Sequence, residues 1–348
     1  MSDSHFVQPA EGVLITGSNG FIGASVVETL LERGFSNLRC FVRPSASTNR
    51  LENLRTRYPH VRLEIFKGNL LSRQDCERAV RDVRVVYHLA AGFDKSFAGA
   101  FMNSVLTTRN LLEAAVCGGQ VKRFVNVSSF AVYTNREMKR GALLDETCAI
   151  ENPPYIRGDA YAYGKIKQEE IVLSYARTRG ISCVILRPGA VFGPGQRSVT
   201  GRVGIDTFGI YLHMGGSNRL PLSYVDNCAE AIVLAGLVPN IDGEIFNVVD
   251  DELPTSRTFL RLYKDNVKRF LSVPVPYRLA YVLCALWERY SAWSEGQLPP
   301  AFNRSRCSAE WKGNRYTNEK LKRLLGWSPR VGLEEACKRT FEYQRSNR

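Results

Sequence analysis

The sequence predicts an α/β fold, a doubly wound parallel sheet covered by helices on both faces and followed by a smaller, mostly helical C-terminal part. Three observations carry that expectation. Short β-rich runs alternate with helical patterns through the first half of the 348 residues. The first run feeds directly into three glycines, Gly17, Gly20 and Gly23, spaced three residues apart. After Arg187 the alternation breaks into Gly- and Pro-rich loops. Strands separated by helices are joined by crossovers, so neighbouring strands run parallel and both faces of the sheet are buried.

In chain order the β-rich runs are 13–16, 38–42, 61–67, 85–89, 123–128 and 182–187. Between them apolar residues recur at helical spacing, first in a helix over 21–33 and later at Leu106, Leu111, Leu112, Ala115 and Val116. From 188 to 195 the chain reads PGAVFGPG and stays glycine-studded to Ser217, the composition of loops that line sites on a rigid scaffold. A helix over 226–237 and a strand over 245–249 then resume the earlier pattern. The expected division is a sheet domain over 10–187, rejoined by 226–250, and a second domain made of 188–225 and 251–348.

The stretch 12–23, GVLITGSNGFIG, reads as a strand, a tight turn and a helix start. Glycines there allow the turn, the approach of backbone to a pyrophosphate and close helix–strand packing, while helix N-terminal amides face the phosphates. A dinucleotide is the predicted ligand, with Gly17, Ser18, Asn19, Gly20, Phe21, Ile22 and Gly23 as its cradle. A second constellation is Tyr161, Lys165 and, at a strand end upstream, Ser129. Tyr161 and Lys165 are four apart and so share one helix face. A free phenol titrates near ~10, and a neighbouring ammonium lowers that value. A strand-end serine can hydrogen-bond a substrate oxygen on which charge develops. This pattern is common on amphipathic helices, and it gains weight from its conjunction with the glycine turn. Tyr163 and Lys167 repeat the spacing. The second strand ends FVRPSAS without an acid to bond a ribose hydroxyl; Arg43 with Ser45 and Ser47 suits a 2′-phosphate, which favours NADP over NAD. Under NAD, Arg43 would only stack on the adenine.

Together these landmarks resemble the extended short-chain dehydrogenase/reductase superfamily, the group of NAD-dependent epimerases and dehydratases that includes the 3β-hydroxysteroid dehydrogenase-like enzymes. The likeness runs over nearly the whole chain: 16–23, GNL at 68–70, HLAA at 88–91, Asn103 with NLLEAA at 110–115, VSSFAVY at 127–133, YAYGK at 161–165 followed by Glu169, RPGAVFGPG at 187–195, YVDN at 224–227 and LGWSPRVGLEEA at 325–336. It implies a Rossmann-type sheet, with Tyr161 as general acid/base, Lys165 as its electrostatic partner, and Ser129 as donor to the substrate oxygen beside Ser128. By the same resemblance Asn69, Leu70, Leu89, Ala90, Ala91, Val127, Pro188, Gly189 and Val191 join the cofactor contacts. The family often has serine where this chain has Gly164, and GDL where it has GNL. Glu169 stands where the pattern places it if Tyr161, not Tyr163, is the catalytic tyrosine. Relatives commonly dimerise through helices matching 97–117 and 158–179.

Nucleotide-sugar members carry an R-D-F-x-x-V-D-D stretch whose arginine grips the pyrophosphate; here the matching stretch is LPLSYVDN, with Leu220 in that place. Arg219 is one residue off and points to the other face of an extended segment. The resemblance is therefore to the hydroxysteroid-dehydrogenase branch. The expected activity is NADP(H)-dependent interconversion of a secondary alcohol and a ketone on a lipid-, steroid- or polyketide-like molecule, with a nucleotide-sugar epimerase or dehydratase as the alternative. In 276–293, Leu279, Val282, Leu283, Leu286, Tyr290 and Trp293 share a helix face; such a stripe is usually core, and a lid or a peripheral membrane contact are the other readings.

The net charge of +13 is concentrated late, residues 254–348 holding 19 Lys and Arg against 8 Asp and Glu. No helix-turn-helix, finger or ribonucleoprotein pattern accompanies it, so nucleic acid is not an expected partner. The nine cysteines are scattered without a C-x-x-C pair, which points to reduced, structural thiols and no metal site. No signal-like or membrane-spanning run is recognised, and the expected location is cytoplasmic.

Overall fold

The computed structural model describes residues 6–196, 199–207, 209–295, 297–298 and 302–347. Seven strands, β1 (Gly12–Thr16), β2 (Asn37–Val42), β3 (Arg62–Lys67), β4 (Val83–His88), β5 (Arg123–Val127), β6 (Cys183–Pro188) and β7 (Ile245–Val248), form one parallel sheet in the order β7-β6-β5-β4-β1-β2-β3. Helices fill the crossovers: α1 (Phe21–Glu32), α2 (Asn49–Arg57), α3 (Arg73–Ala79), α4 (Thr107–Gly118), α5 (Ala160–Arg179) and α6 (Val225–Leu237). The chain ends in α7 (Ser256–Asn266), α8 (Tyr277–Trp293), α9 (Arg304–Trp311), α10 (Glu319–Leu325) and α11 (Leu333–Ser346).

Alternation along each strand divides the core between the two faces. Val13 and Ile15 of β1, Val85 and Tyr87 of β4, and Val125 and Val127 of β5 pack with Val26 and Leu30 of α1 and Ile232 and Val233 of α6. The intervening Leu14, Val86 and Phe124 face Cys76 of α3, Leu111 and Leu112 of α4, and Val172 of α5. A third apolar cluster joins Phe130, Phe192, Leu220, Leu222 and Tyr224 to Phe259 of α7 and Phe341 of α11. It is built from the segments that leave the ends of β5 and β6, so it lies on the side of the sheet where strand ends carry functional groups.

Two local features differ from expectation. The glycine-rich stretch after Arg187 is not all loop: Ala190–Phe192 pairs with Leu222–Tyr224, and Gly204–Thr207 forms a hairpin with Ile210–His213 that also pairs with Ser272–Pro274. The helix expected over 97–117 is divided into a short turn Phe97–Ala100, a π-helical segment Phe101–Leu106, and α4. Side-chain hydroxyls compete for its carbonyls: Thr107 Oγ1 donates to Asn103 O (2.9 Å) and Thr108 Oγ1 to Ser104 O (2.5 Å).

Candidate active site

The strand order reverses between β1 and β4, and at such a point the two crossovers diverge and leave a crevice at the carboxyl ends of the strands. A cavity of about 680 Å³ opens there. Gly17 to Gly23 border it after β1, Arg43 and Ser45 after β2, and Asn69 and Leu70 after β3. Leu89, Ala90 and Ala91 follow from β4, Val127 and Ser129 from β5, and Pro188, Gly189 and Val191 from β6, while Tyr161 and Lys165 enter from α5. Ser18 is the exception within the turn: it is buried, and its hydroxyl donates to Phe41 O (3.2 Å), tying the turn to β2.

The turn depends on glycine at two places. Gly17 has φ +67° and would bring a Cβ within 3.0 Å of Ala90 N. At Gly23 a Cβ would stand 2.1 Å from Gly17 O, so only glycine lets α1 start so close to β1. The helix N-cap is Gly20, with no side-chain cap and no acidic residue in the first turn. The orphan amides of α1 therefore open into the cavity. Among the described residues no carboxylate lines it. A backbone cradle and an unopposed helix N-terminus fit the pyrophosphate of a dinucleotide.

Asp159 caps α5 by accepting from the amides of Tyr161 (3.0 Å) and Ala162 (3.2 Å), which sets Tyr161 in the first turn and Lys165 one turn later. The Tyr161 ring stacks on Phe93 with centroids 5.0 Å apart and planes 3° from parallel. Burial raises the phenol pKa, the Ser129 hydroxyl opposing it. The lowering expected from Lys165 is not what this structure shows. The lysine is buried, and its Nζ donates to Val127 O (2.6 Å) and Gln168 Oε1 (2.9 Å) instead. Burial brings the Lys165 amine down to about 8, with Glu169 acting the other way. Ser129 Oγ accepts from Ala131 N (3.1 Å), which leaves its O–H to donate elsewhere. Tyr163 packs edge-on against Phe97, and Lys167 pairs with Glu170 at 2.7 Å; neither lines the cavity.

A polar relay that sequence reasoning missed holds the lysine. Gln168 Nε2 donates to Thr108 Oγ1 (2.8 Å), whose own proton goes to Ser104 O. The 2.8 Å contact of His88 Nε2 with Thr108 Oγ1 is then an imidazole N–H donating, and His88 Nδ1 accepts from Thr16 Oγ1 (2.8 Å). Burial, reinforced by the Lys165 charge, lowers His88 to about 3, so the ring is neutral as this chain of bonds requires. The relay fixes which end of the Gln168 amide faces Lys165. Also unforeseen as lining residues are Phe41, Phe93, Asn103, Thr107 and Gln196. Asn103 and Thr107 reach the cavity from the π-helical segment and its junction with α4, a kind of irregularity frequent at functional sites; Asn103 Nδ2 is held by Asp94 (3.2 Å).

The model of the NAD dependent epimerase/dehydratase family matches residues 13–248, which span the whole seven-stranded sheet. The chain belongs to that family. It is an NAD(P)-dependent enzyme of the extended short-chain dehydrogenase/reductase type, and the glycine turn, Ser129, Tyr161 and Lys165 are the landmarks on which that resemblance first rested. Among relatives, the sterol-4-alpha-carboxylate 3-dehydrogenase, decarboxylating, of Mus musculus is 25% identical over 354 residues, covering 97% of this chain and 91% of that protein. The 3-beta-hydroxysteroid dehydrogenase of Mycolicibacterium neoaurum is 27% identical over 352 residues, with 95% and 90% covered. The crystal structure of UDP-glucuronic acid 4-epimerase from Bacillus cereus, in complex with UDP-glucuronic acid and NAD, superposes with a TM-score of 0.73 at 21% identity, covering 97% of this chain and 100% of that one. Within the family frame, Glu169 serves as a brace. It meets Arg187 of β6 in a buried two-point pair (2.7 and 2.9 Å), and Arg187 also donates to Tyr133 Oη (2.9 Å), so α5 is fastened to the sheet just beyond the turn that carries Tyr161 and Lys165.

Proposed function

We propose that this family member is an NADP(H)-dependent oxidoreductase that interconverts a secondary alcohol and a ketone on an apolar, lipid-, steroid- or polyketide-like molecule. The observation that carries the substrate class is Leu220. It is 1% exposed within the apolar cluster around Phe192 and Tyr224, so the position that carries the gripping arginine in nucleotide-sugar members holds a buried apolar side chain here. Arg219 does not replace one: its Nη1 donates to Leu253 O (2.7 Å). The names of the steroid and sterol relatives support the same class, and we take 188–225 and 251–348 as the substrate side.

The Gly17–Gly23 turn and the first amides of α1 would hold the pyrophosphate. Asn69 to Ala91 would border the adenosine half and Val127, Pro188, Gly189 and Val191 the nicotinamide half. Arg43, exposed at the rim with Ser45 beside it and no carboxylate among the described residues that line the cavity, supports a 2′-phosphate and thus NADP. When bound, the nicotinamide supplies or takes up hydride. The chain's own work is proton transfer and charge stabilisation. The raised Tyr161 pKa keeps the phenol protonated at neutral pH, poised to give its proton to a ketone oxygen, and the O–H of Ser129, whose oxygen accepts from Ala131 N, would bond that same oxygen. Lys165, braced by Gln168 and Val127 O, would meet the ribose.

The test is consumption of NADPH by purified protein given long-chain and steroid ketones in one set and nucleotide 4-keto-sugars in another. Turnover with an apolar ketone that is lost in Tyr161→Phe is the expected result. Alteration of nucleotide sugars without net cofactor use would instead establish the epimerase alternative.

A further inference from the structure

Helix α8 presents its apolar stripe outward. Leu279, Val282, Leu283, Leu286, Tyr290 and Trp293 are 50 to 76% exposed and, at 3.6 residues per turn, fall within an arc of about 100°. The face that packs on the protein is a different and narrower one, carrying Ala280, Cys284 and Ser291. The reading of the stripe as core is thereby overturned. Arg278 and Arg289 stand along one edge of the stripe, and the helix's one acid, Glu288, lies on the far side and is paired with Arg304 (2.7 Å). Such a helix has the make-up of one that lies in a membrane interface: apolar and aromatic on one side, arginines at the border, no acid facing outward.

A second observation says what kind of surface covers it. The segment that leads into α8 forms one wall of a groove of about 620 Å³, separate from the active-site cavity. The groove is bordered by Arg140, Arg257, Arg261 and Lys264 against the single carboxylate Asp265. Among the described residues none of these four cations is in an ion pair; Arg140 donates to Asn218 Oδ1 (3.2 Å) and Lys264 to Ser272 Oγ (2.7 Å). In the chain between α7 and the segment that walls the groove, Lys268 and Arg269 are exposed, followed by exposed Leu271 (64%) and Val273 (43%). Apolar surface and unpaired positive charge thus adjoin over 257–293.

We propose that α8 and the basic groove at its N-terminal end form a docking face for an anionic phospholipid bilayer, with the α8 stripe sunk among the acyl-chain ends and the groove cations against lipid phosphates. The proposal is independent of the substrate assignment.

Flotation with vesicles of phosphatidylcholine alone and of phosphatidylcholine with an equal part of phosphatidylglycerol tests it on the whole chain. Binding is expected to the mixed vesicles, weak to the neutral ones, and to fall as salt rises. Trp311 and Trp327 are buried and Trp293 is 76% exposed, so a blue shift of tryptophan emission on the mixed vesicles reports α8 itself. Arg257→Gln with Arg261→Gln should weaken partitioning roughly thirtyfold, since each cation near an anionic surface is worth about fivefold. Leu283→Gln with Leu286→Gln should weaken it by at least roughly tenfold through lost apolar burial. Both pairs are exposed, and dinucleotide binding should be unchanged. Equal binding to both vesicle types, absence of binding, or variants that bind like the parent would overturn the proposal. So would a dimer dissolved by the leucine variant with no vesicle binding, which would make the face an interface between copies.

Discussion

Replacing Gly23 with alanine adds one methyl group at the tightest point of the phosphate turn. The new Cβ would stand 2.1 Å from Gly17 O, 2.8 Å from Gly17 C and 2.9 Å from Ser18 Cα, all backbone atoms that no rotamer change can move aside. Ordinary contact begins near 3.4 Å, so the start of α1 must retreat from the turn by at least 1.3 Å, the difference between 3.4 and 2.1 Å. Overpacking of that kind costs about 1–3 kcal/mol of stability. The larger effect falls on the ligand, because the retreat misaligns the α1 amides with the pyrophosphate. Loss of one charge-assisted hydrogen bond, about 1.5–3 kcal/mol, weakens Kd by roughly ten- to a hundredfold or somewhat more. NADPH titration followed by fluorescence, with urea unfolding in parallel, measures both. Gly118→Ala is the control, its nearest neighbour being Val80 Cγ2 at 3.7 Å. NADPH affinity in Gly23→Ala within twofold of the parent would mean that the α1 amides do not hold the pyrophosphate.

Glu169→Ala leaves the Arg187 guanidinium buried without its carboxylate and should destabilise by about 3–5 kcal/mol in urea, partly recovered by adding Arg187→Met; a loss under 1 kcal/mol would mean that the pair is not a brace. His88, held at about 3 against an ordinary 6.5, binds a proton less readily folded than unfolded, so its contribution is whole above that ordinary value and is lost as pH falls toward the folded one. His88→Asn should therefore flatten the acid side of the stability–pH curve by up to about 1.4 kcal/mol per pH unit, and parallel curves for parent and variant would contradict a buried neutral imidazole. Arg43→Ala should weaken NADPH roughly ten- to a hundredfold through loss of bonds to the 2′-phosphate while leaving NADH nearly unchanged; equal losses for both would favour stacking on the adenine.

The sheet was legible because its signal is local: apolar runs of strand length, helical spacing between them, and a glycine turn at one junction. Strand ends read from sequence fall within a residue or two of those observed, as with 61–67 against Arg62–Lys67. The small strands after Arg187 were not legible, since segments as short as Ala190–Phe192 carry no alternation and find partners some thirty residues away. The relay from Thr16 through His88, Thr108 and Gln168 to Lys165 joins four separate elements, and its only sequence trace is polar residues set within apolar strands and helices. The stripe on α8 shows the limit of periodicity most directly. Apolar residues at helical spacing mark a face, and only packing tells whether protein or another medium covers it.

The proposed reaction moves hydride between a nicotinamide and the carbonyl carbon of an apolar substrate, with Tyr161 handling the proton. Incubation with NADPH deuterated at the nicotinamide C4 and a panel of apolar ketones, followed by mass spectrometry of the alcohols, tests it most directly. Deuterium on the carbinol carbon, in stoichiometric yield with cofactor consumed, is expected, and none in Tyr161→Phe. Unlabelled ketones recovered intact, alongside nucleotide sugars epimerised or dehydrated with no net cofactor use, would contradict it.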